Sequence, residues 1–427
     1  MKTRIICSLA AAVLAIGSYA QGGTKSPYSQ YVIGTLSDQS QNMSRGMNGV
    51  GIGMRTSNQV NTLNPASYSA VDSITMLIDA SLTAQTTNYH EGSIRKNGSL
   101  ASFEYIVGSF RAWKNVGVTL GVLPISNVGY EYTTTTTLNE NNGNITETYS
   151  GSGGLHEAFI GVGWRLFKPL SIGANIGYLW GDINRKVASS STTYINSLQK
   201  QYSVSVSSYK ADFGLQWEQQ IGKDNWLTIG ATYGLEHKLN ADPQLLVINT
   251  NSTSSKTDTT SFKIRNGLKL PMMVGGGLSF NHANKLIVAA DGSYQRWEEV
   301  SLPQYDNLTN TYMLRSGTTM ARYKGSIGME FTPNAMSRNF FNRLHYRVGA
   351  GYATPYYKIN GKDGPSELSV SAGLGIPILN AWNTRSMVHI SGQWVQTSAT
   401  GFIKENSFRI NVGVTFNERW FAKWKVE

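Results

Sequence analysis

The sequence predicts an all-β chain: a transmembrane antiparallel β-barrel of about 14 strands closed by an N-terminal hatch. Three observations predict it. Apolar and polar residues alternate with period two over most of the chain, as in strands with one apolar and one polar face. Connections alternate between short turns and long polar loops, the outer-membrane barrel signature. Charged residues are only 15%, against 22 Tyr, 10 Trp and 44 Gly in 427 residues. No apolar run of about 20 residues follows the first twenty, which excludes helical spans. The aromatic content and low charge exclude a disordered chain.

The chain reads in four parts. Residues 1–20, MKTRIICSLAAAVLAIGSYA, have a basic start (Lys2, Arg4), an apolar stretch from Ile5 to Ile16 and a small-residue cleavage site at Ser18-Tyr19-Ala20. They read as a secretory signal peptide. Its Cys7 is the single cysteine, so no disulfide or Cys metal ligand is expected beyond it. Residues 21–72 lack alternation and read as the hatch. Residues 73–416 read as the barrel. Residues 417–427 form a tail carrying Trp420, Phe421 and Trp424.

Within the barrel, the alternating segments are 73–90, 98–112, 114–136, 154–166, 170–187, 200–219, 226–241, 260–280, 285–298, 315–332, 343–357, 366–377, 385–397 and 406–416. Short turns fall at Trp113–Asn115, Phe167–Pro169, Gly222–Asn225, Asn281–Asn284 and Leu379–Asn383. Long loops fall at 138–153, 188–199, 242–259, 299–314 and 358–365. The ten residues Pro333–Asn342 stand where parity asks for a short turn. Trp113, Trp226 and Trp382 at short turns, and Trp180 and Trp297 toward the long loops, mark two aromatic girdles. The short-turn end faces the periplasm, and the chain is expected in a Gram-negative-type outer membrane.

Other classes fit poorly. The net charge is +11, but Lys and Arg are scattered and the chain is exported, so no nucleic-acid partner is expected. The six His sit in no nucleophile–base constellation, so no enzyme is expected. No metal-ligand spacing or phosphate loop occurs, and no cofactor is expected.

Arg45-Gly46-Met47-Asn48-Gly49-Val50-Gly51-Ile52-Gly53, followed by Asn64-Pro65-Ala66, resembles the start of the FadL/TodX family of outer-membrane channels for long-chain fatty acids and other hydrophobic compounds. Gly151–Phe167 and Phe416–Glu427 look like a distant branch of that family. The resemblance implies a fourteen-stranded barrel with an N-terminal hatch and passive uptake of hydrophobic or amphiphilic small molecules. It also implies a lateral exit to outer-membrane lipid at a kinked third strand, with Asn64-Pro65-Ala66 lying against the kink. The residues themselves support a kink: Leu123–Gly129 contains Pro124, Asn127 and Gly129, and Pro cannot donate to a ladder while Gly weakens one. Asn64 is expected to satisfy the freed ladder groups.

Alternation turns Asp291, Arg322, Lys324, Glu330, His345 and Arg347 inward. If Pro333–Asn342 closes symmetrically, His345 stands opposite Glu330 with Arg347 one diagonal step away. Arg322, Lys324, His345 and Arg347 then form either a basic spot for a ligand carboxylate or an internal ion-pair network. A second functional reading is a barrel that serves a protein secretion or outer-membrane assembly complex, docking protein partners through its long loops or C-terminal tail.

Overall fold

The computed structural model describes residues 23–73, 75–137, 143–191, 196–251, 253–378 and 386–418. Fourteen antiparallel strands close into a barrel. They are β1 (Met76–Glu91), β2 (Ile94–Trp113), β3 (Val116–Thr137), β4 (Asn144–Arg165), β5 (Leu170–Ser191), β6 (Asn196–Ile221), β7 (Asn225–Gly234), β8 (Met273–His282), β9 (Leu286–Gln295), β10 (Arg322–Phe331), β11 (His345–Ala353), β12 (Ser366–Pro377), β13 (Met387–Ser398) and β14 (Lys404–Glu418). Each pairs with its sequence neighbour, and β1 closes on β14 from Met76↔Glu418 to His90↔Lys404. Among the described residues no helix is long and apolar enough to cross a membrane.

The strands turn an apolar belt outward. Leu120, Ile160, Ile176, Phe213, Leu278, Ile327, Val348 and Ile410 are all exposed. Such a belt is stable only against lipid, because a soluble monomer does not expose a patch of this extent. Trp113 and Trp226, at the short turns, are exposed as girdle residues. Trp297 departs from the girdle assignment. It opens a 3₁₀ turn, is 2% exposed and packs on Tyr356 at 5.1 Å. Its indole fills the lumen cap instead of the lipid interface. Trp382 lies outside the described residues, as do residues 1–22, where a signal peptide is expected, and residues 419–427.

The wall has unequal height. β3, β4 and β5 run 22 residues and β6 runs 26, whereas β7 to β10 run 10 each. About 9–11 residues cross a membrane when tilted, so β3–β6 stand well above the belt. This explains several boundary differences. The stretch expected as loop 138–153 is strand from Asn144 on, since above the membrane both faces of a strand can be polar. Loop 242–259 contains the strand Gln244–Asn251, paired to β6 from Ser203↔Gln244 to Asn196↔Asn251. The segment expected as one strand over 260–280 divides into Thr257–Lys263, which pairs Gln244–Asn251, and β8. Pro333–Asn342 is a bend followed by one helical turn, Phe340–Arg343.

The upper lumen is filled. Tyr28, Val32 and Ile33 of the hatch pack with Ile125, Leu155, Leu179, Val206, Leu270 and Trp297 into one apolar cluster.

Candidate functional site

The hatch has little regular structure and is held by the barrel. Its helical pieces are short: Pro27–Gln30, Asn42–Gly46 and Pro65–Ala70. Asn64 caps the last of these, its Oδ1 accepting from Ala66 N at 3.1 Å, with Pro65 at the first position as helix starts favour. The hatch rests on a girdle of inward glycines. A Cβ built on Gly117 would sit 1.9 Å from Tyr68 O, on Gly173 2.4 Å from Pro65 O, on Gly214 2.1 Å from Asn64 Oδ1, on Gly230 2.0 Å from Ile52 O, and on Gly349 2.4 Å from Met47 C. Gly163, Gly277, Gly328, Gly373 and Gly413 meet the hatch equally closely. The remaining strands contribute side chains. Asp291 of β9 accepts from Gly51 N at 2.6 Å and Ile52 N at 2.8 Å. Gln393 of β13 donates to Asn48 Oδ1 at 3.0 Å. Asp79 of β1 accepts from Asn42 Nδ2 at 2.6 Å.

Arg45 ties the hatch to β2. Its Nη2 meets Glu104 Oε2 at 3.1 Å, Nη1 donates to Asn411 Oδ1 at 3.1 Å, and Nε donates to Ser40 O at 3.0 Å. Glu104 points inward because the β1–β2 register shifts there, Ser81 pairing Tyr105 and Leu82 pairing Phe103. A bulge re-aims a side chain in this way.

The four inward cations do not form one spot. Glu330 pairs Arg347 directly in register; Arg347 Nε is 2.5 Å from Glu330 Oε2, and His345 Nδ1 is the diagonal partner at 3.0 Å. The expected order is therefore reversed, because Pro333–Asn342 does not close symmetrically. Arg347 is 2% exposed and also donates to His389 Nδ1 at 2.7 Å. A guanidinium has only donors, so His389 carries its proton on Nε2 and donates it to Thr415 Oγ1 at 2.9 Å. Thr415 then donates to Asp79 Oδ2 at 2.7 Å. The chain Glu330–Arg347–His389–Thr415–Asp79 joins residues of five strands, β10, β11, β13, β14 and β1. Arg322 and Lys324 lie elsewhere, lining a polar chamber with Asp38, Glu367 and Arg409; Arg322 Nη2 is 3.3 Å from Glu367 Oε2.

β2 and β3 pair from the short turn only as far as Ile106↔Val122, both exposed in the apolar belt. Beyond that, β2 continues against β1 alone, and β3 against β4 and two residues of the hatch. β3 runs unbroken to Thr137 but shifts register against β4 between Pro124 and Ser126. The irregularity continues across the wall at Gly154 (φ +152°) and Gly181 (φ +146°), where a Cβ would meet Ser126 O at 2.4 Å and Gly154 O at 2.0 Å. Only glycine accepts that backbone and that approach.

The seam beside β3 is lined by the hatch, though not by Asn64-Pro65-Ala66. Asn64 Nδ2 donates to Ile52 O at 2.9 Å and to Leu215 O of β6 at 3.1 Å, and Pro65 and Ala66 abut Gly173 of β5. These are the strands whose glycines leave room for a 3₁₀ turn. The freed edge of β3 is met by residues 29–37. Thr35 pairs Asn127 and Leu36 pairs Ser126. Ser37 N donates to Ile125 O at 3.0 Å, Asn127 Nδ2 donates to Ser37 Oγ at 2.9 Å, and Gly129 N donates to Ser29 Oγ at 3.1 Å. Against the hatch lies a cavity of about 220 Å³, walled mainly by β6 to β10 and meeting β3 at Ile125; Ile33, Leu36, Ile52, Leu270 and Trp297 line it among others, with Asp38, Lys210, Asp212, Asp291, Arg322 and Lys324 at its polar side.

Sequence reasoning missed residues 29–37, Asp291 as a hatch clamp and the glycine girdle. The girdle had a signal: glycine recurs at inward positions near the same level of successive strands. Residues 29–37 had none, since a two-residue strand leaves no periodicity.

The comparisons agree with this architecture. The toluene transporter TodX of Pseudomonas putida is similar at 15% identity, covering 90% of this chain and 100% of that one, with a TM-score of 0.62. The toluene transporter TbuX of Ralstonia pickettii is similar at 13% identity, covering 88% and 98%, with a TM-score of 0.61. A Pseudomonas aeruginosa FadL homologue gives 10% identity, 90% and 98% coverage, and a TM-score of 0.57. No curated protein sequence matches. The family model BamG matches residues 1–427. The chain belongs to the BamG family, and its barrel and hatch have the FadL-type outer-membrane fold.

Proposed function

We propose that the barrel passes small hydrophobic molecules of about single-ring size from outside into the outer membrane, through the β2–β3 seam and not along its axis. The observation that carries this reading is the pairing of a sealed floor with an unpaired seam. The hatch touches all the surrounding wall, while β2 and β3 part within the apolar belt, and Ile125 of β3 reaches from that side into the lumen cavity against the hatch. An engineered cavity of roughly 150 Å³ accepts benzene, so a cavity of about 220 Å³ suits one substituted ring better than a long acyl chain. An apolar solute is worth about 25 cal/mol per Å² when kept from water, which favours a side exit into lipid over one into the periplasm. The toluene transport named for TodX and TbuX supports the same class. In this reading Pro124, Asn127 and Gly129 shape the exit, and Asn64-Pro65-Ala66 secure the floor.

The test is uptake of radiolabelled toluene and palmitate by cells carrying the barrel or its Ile125→Trp variant, which fills the cavity. The expected result is toluene uptake lost in the variant and little palmitate uptake in either. Undiminished toluene uptake by Ile125→Trp would refute the route. A second reading, a barrel that docks proteins of a secretion or assembly complex, draws on the periplasm-side connection. There Met336 is 81% exposed and Phe341 67% exposed, outside any described lipid-facing strand.

A further inference from the structure

Above the membrane the β2–β3 seam widens into a groove of about 1140 Å³. That exceeds the roughly 300–1,000 Å³ of ordinary small-molecule pockets. Both banks are strand edges. On one bank, β2 from Ile94 to Tyr105 has ladder partners only on its β1 side. On the other, β3 beyond Asn127 is paired only to β4, apart from the Ser29 contact at Gly129. An unpaired edge is a template for another strand. β3 already takes one here, since Thr35–Leu36 adds to it at Ser126–Asn127. The groove is also charged. Lys25, Lys96, Arg185 and Lys186 line it against the carboxylates of Glu91 and Glu131. None of these four cations has an ion-pair partner among the described residues. Among the described residues Arg185 donates to the backbone Val32 O, and its Nε lacks a partner.

We propose that this groove binds an extended, acidic peptide segment of a partner protein, which adds as a strand to β3 or β2 on the extracellular side. Main-chain pairing supplies the affinity of such additions and alternate side chains supply the specificity. Carboxylates on one face would meet Lys96, Arg185 and Lys186, and the other face would lie along the tyrosines of the groove, Tyr130 and Tyr132 among them. The proposal needs no transport by the barrel, and binding is measured without it.

The probe is a fluorescein-labelled ten-residue peptide of alternating threonine and glutamate. It is titrated by anisotropy onto the purified full-length barrel in detergent, beside a threonine–lysine counterpart and a threonine–glutamate peptide N-methylated at every second residue. Saturable binding is expected for the acidic peptide, at least tenfold weaker for the basic one and absent for the N-methylated one. Lys96→Glu with Lys186→Glu, on a barrel with unchanged heat-modifiable migration, should weaken binding at least tenfold. Amide exchange of residues 94–103 and 130–137 should slow on binding. Equal binding of the N-methylated peptide would overturn strand addition in favour of simple charge attraction. Absence of binding would overturn it in favour of edges that their lysines protect, as charged edge residues do elsewhere. Unchanged exchange at both edges would place the peptide elsewhere and overturn it too.

Discussion

The hatch is held in two contrasting ways. Around most of the circumference it is clamped. Backbone lies on glycine, Asp291 grips two amides, and Arg45 reaches Glu104. Along β3 above Val122, it is laid on by a two-residue strand, a few hydrogen bonds at Ser29 and Ser37, and the packing of Tyr28, Val32 and Ile33 with Ile125 and Val128. The difference is one of packing. A glycine contact leaves no room for a gap and no side chain to rearrange, so the floor can move only if the whole wall moves. The seam is closed by side chains and a short ladder, which can rearrange without moving the wall, so it can open locally.

The largest expected effect is at the floor. Gly230→Val or Gly214→Val drives a side chain into Ile52 O or Asn64 Oδ1. Each should remove the heat-modifiable barrel from outer membranes, or leave it with a dislodged hatch and measurable ion conductance in planar bilayers. A silent, folded Gly230→Val barrel would break the account of the floor. Next is Arg347→Leu, which leaves the buried Glu330 carboxylate without its guanidinium partner and with His345 alone. Truncating one member of a buried pair costs about 3–5 kcal/mol. The thermal midpoint in detergent should fall steeply, and the double variant with Glu330→Leu should recover much of it. At the seam, Asn127→Ala removes one hydrogen bond to Ser37, worth about 0.5–1.5 kcal/mol. The midpoint should barely move while amide exchange at residues 35–37 quickens. A drop as large as that of Arg347→Leu would erase the contrast. The smallest perturbation concerns orientation. Single cysteines at Asn251 and Asn225 should leave stability unchanged, with Asn251 labelled by an impermeant maleimide on intact cells and Asn225 silent. The reverse pattern would exchange inside for outside.

Much of this fold is legible in the sequence because lipid and lumen impose opposite polarity on alternating residues. The strand Leu170–Ser191 shows it: Ile172 and Ile176 face out while Ser171 and Asn175 are buried inside. The parity of connections is legible for the same reason, since only the outer loops have room to grow. The pairing of Glu330 with Arg347 is not legible, because register across Pro333–Asn342 depends on how a ten-residue bend closes. Nor is the placement of Asn64 against β6. A capping side chain shows that a helix begins, and which wall it meets is set by where ten glycines happen to leave space. The seam was half legible: Pro124 marks a break in donors, but the residues that cover it carry no pattern of their own.

The most direct test of lateral passage over a sealed floor uses two disulfide locks. One joins Thr35→Cys to Asn127→Cys, cross-strand partners at the seam. The other joins Asn48→Cys to Ser369→Cys, whose side chains now meet at 2.9 Å on the floor. Toluene uptake is measured for each, oxidised and reduced. The account predicts that the seam lock stops uptake until reductant is added and that the floor lock leaves it at the wild-type rate. Uptake that persists with the seam locked and stops with the floor locked would contradict it.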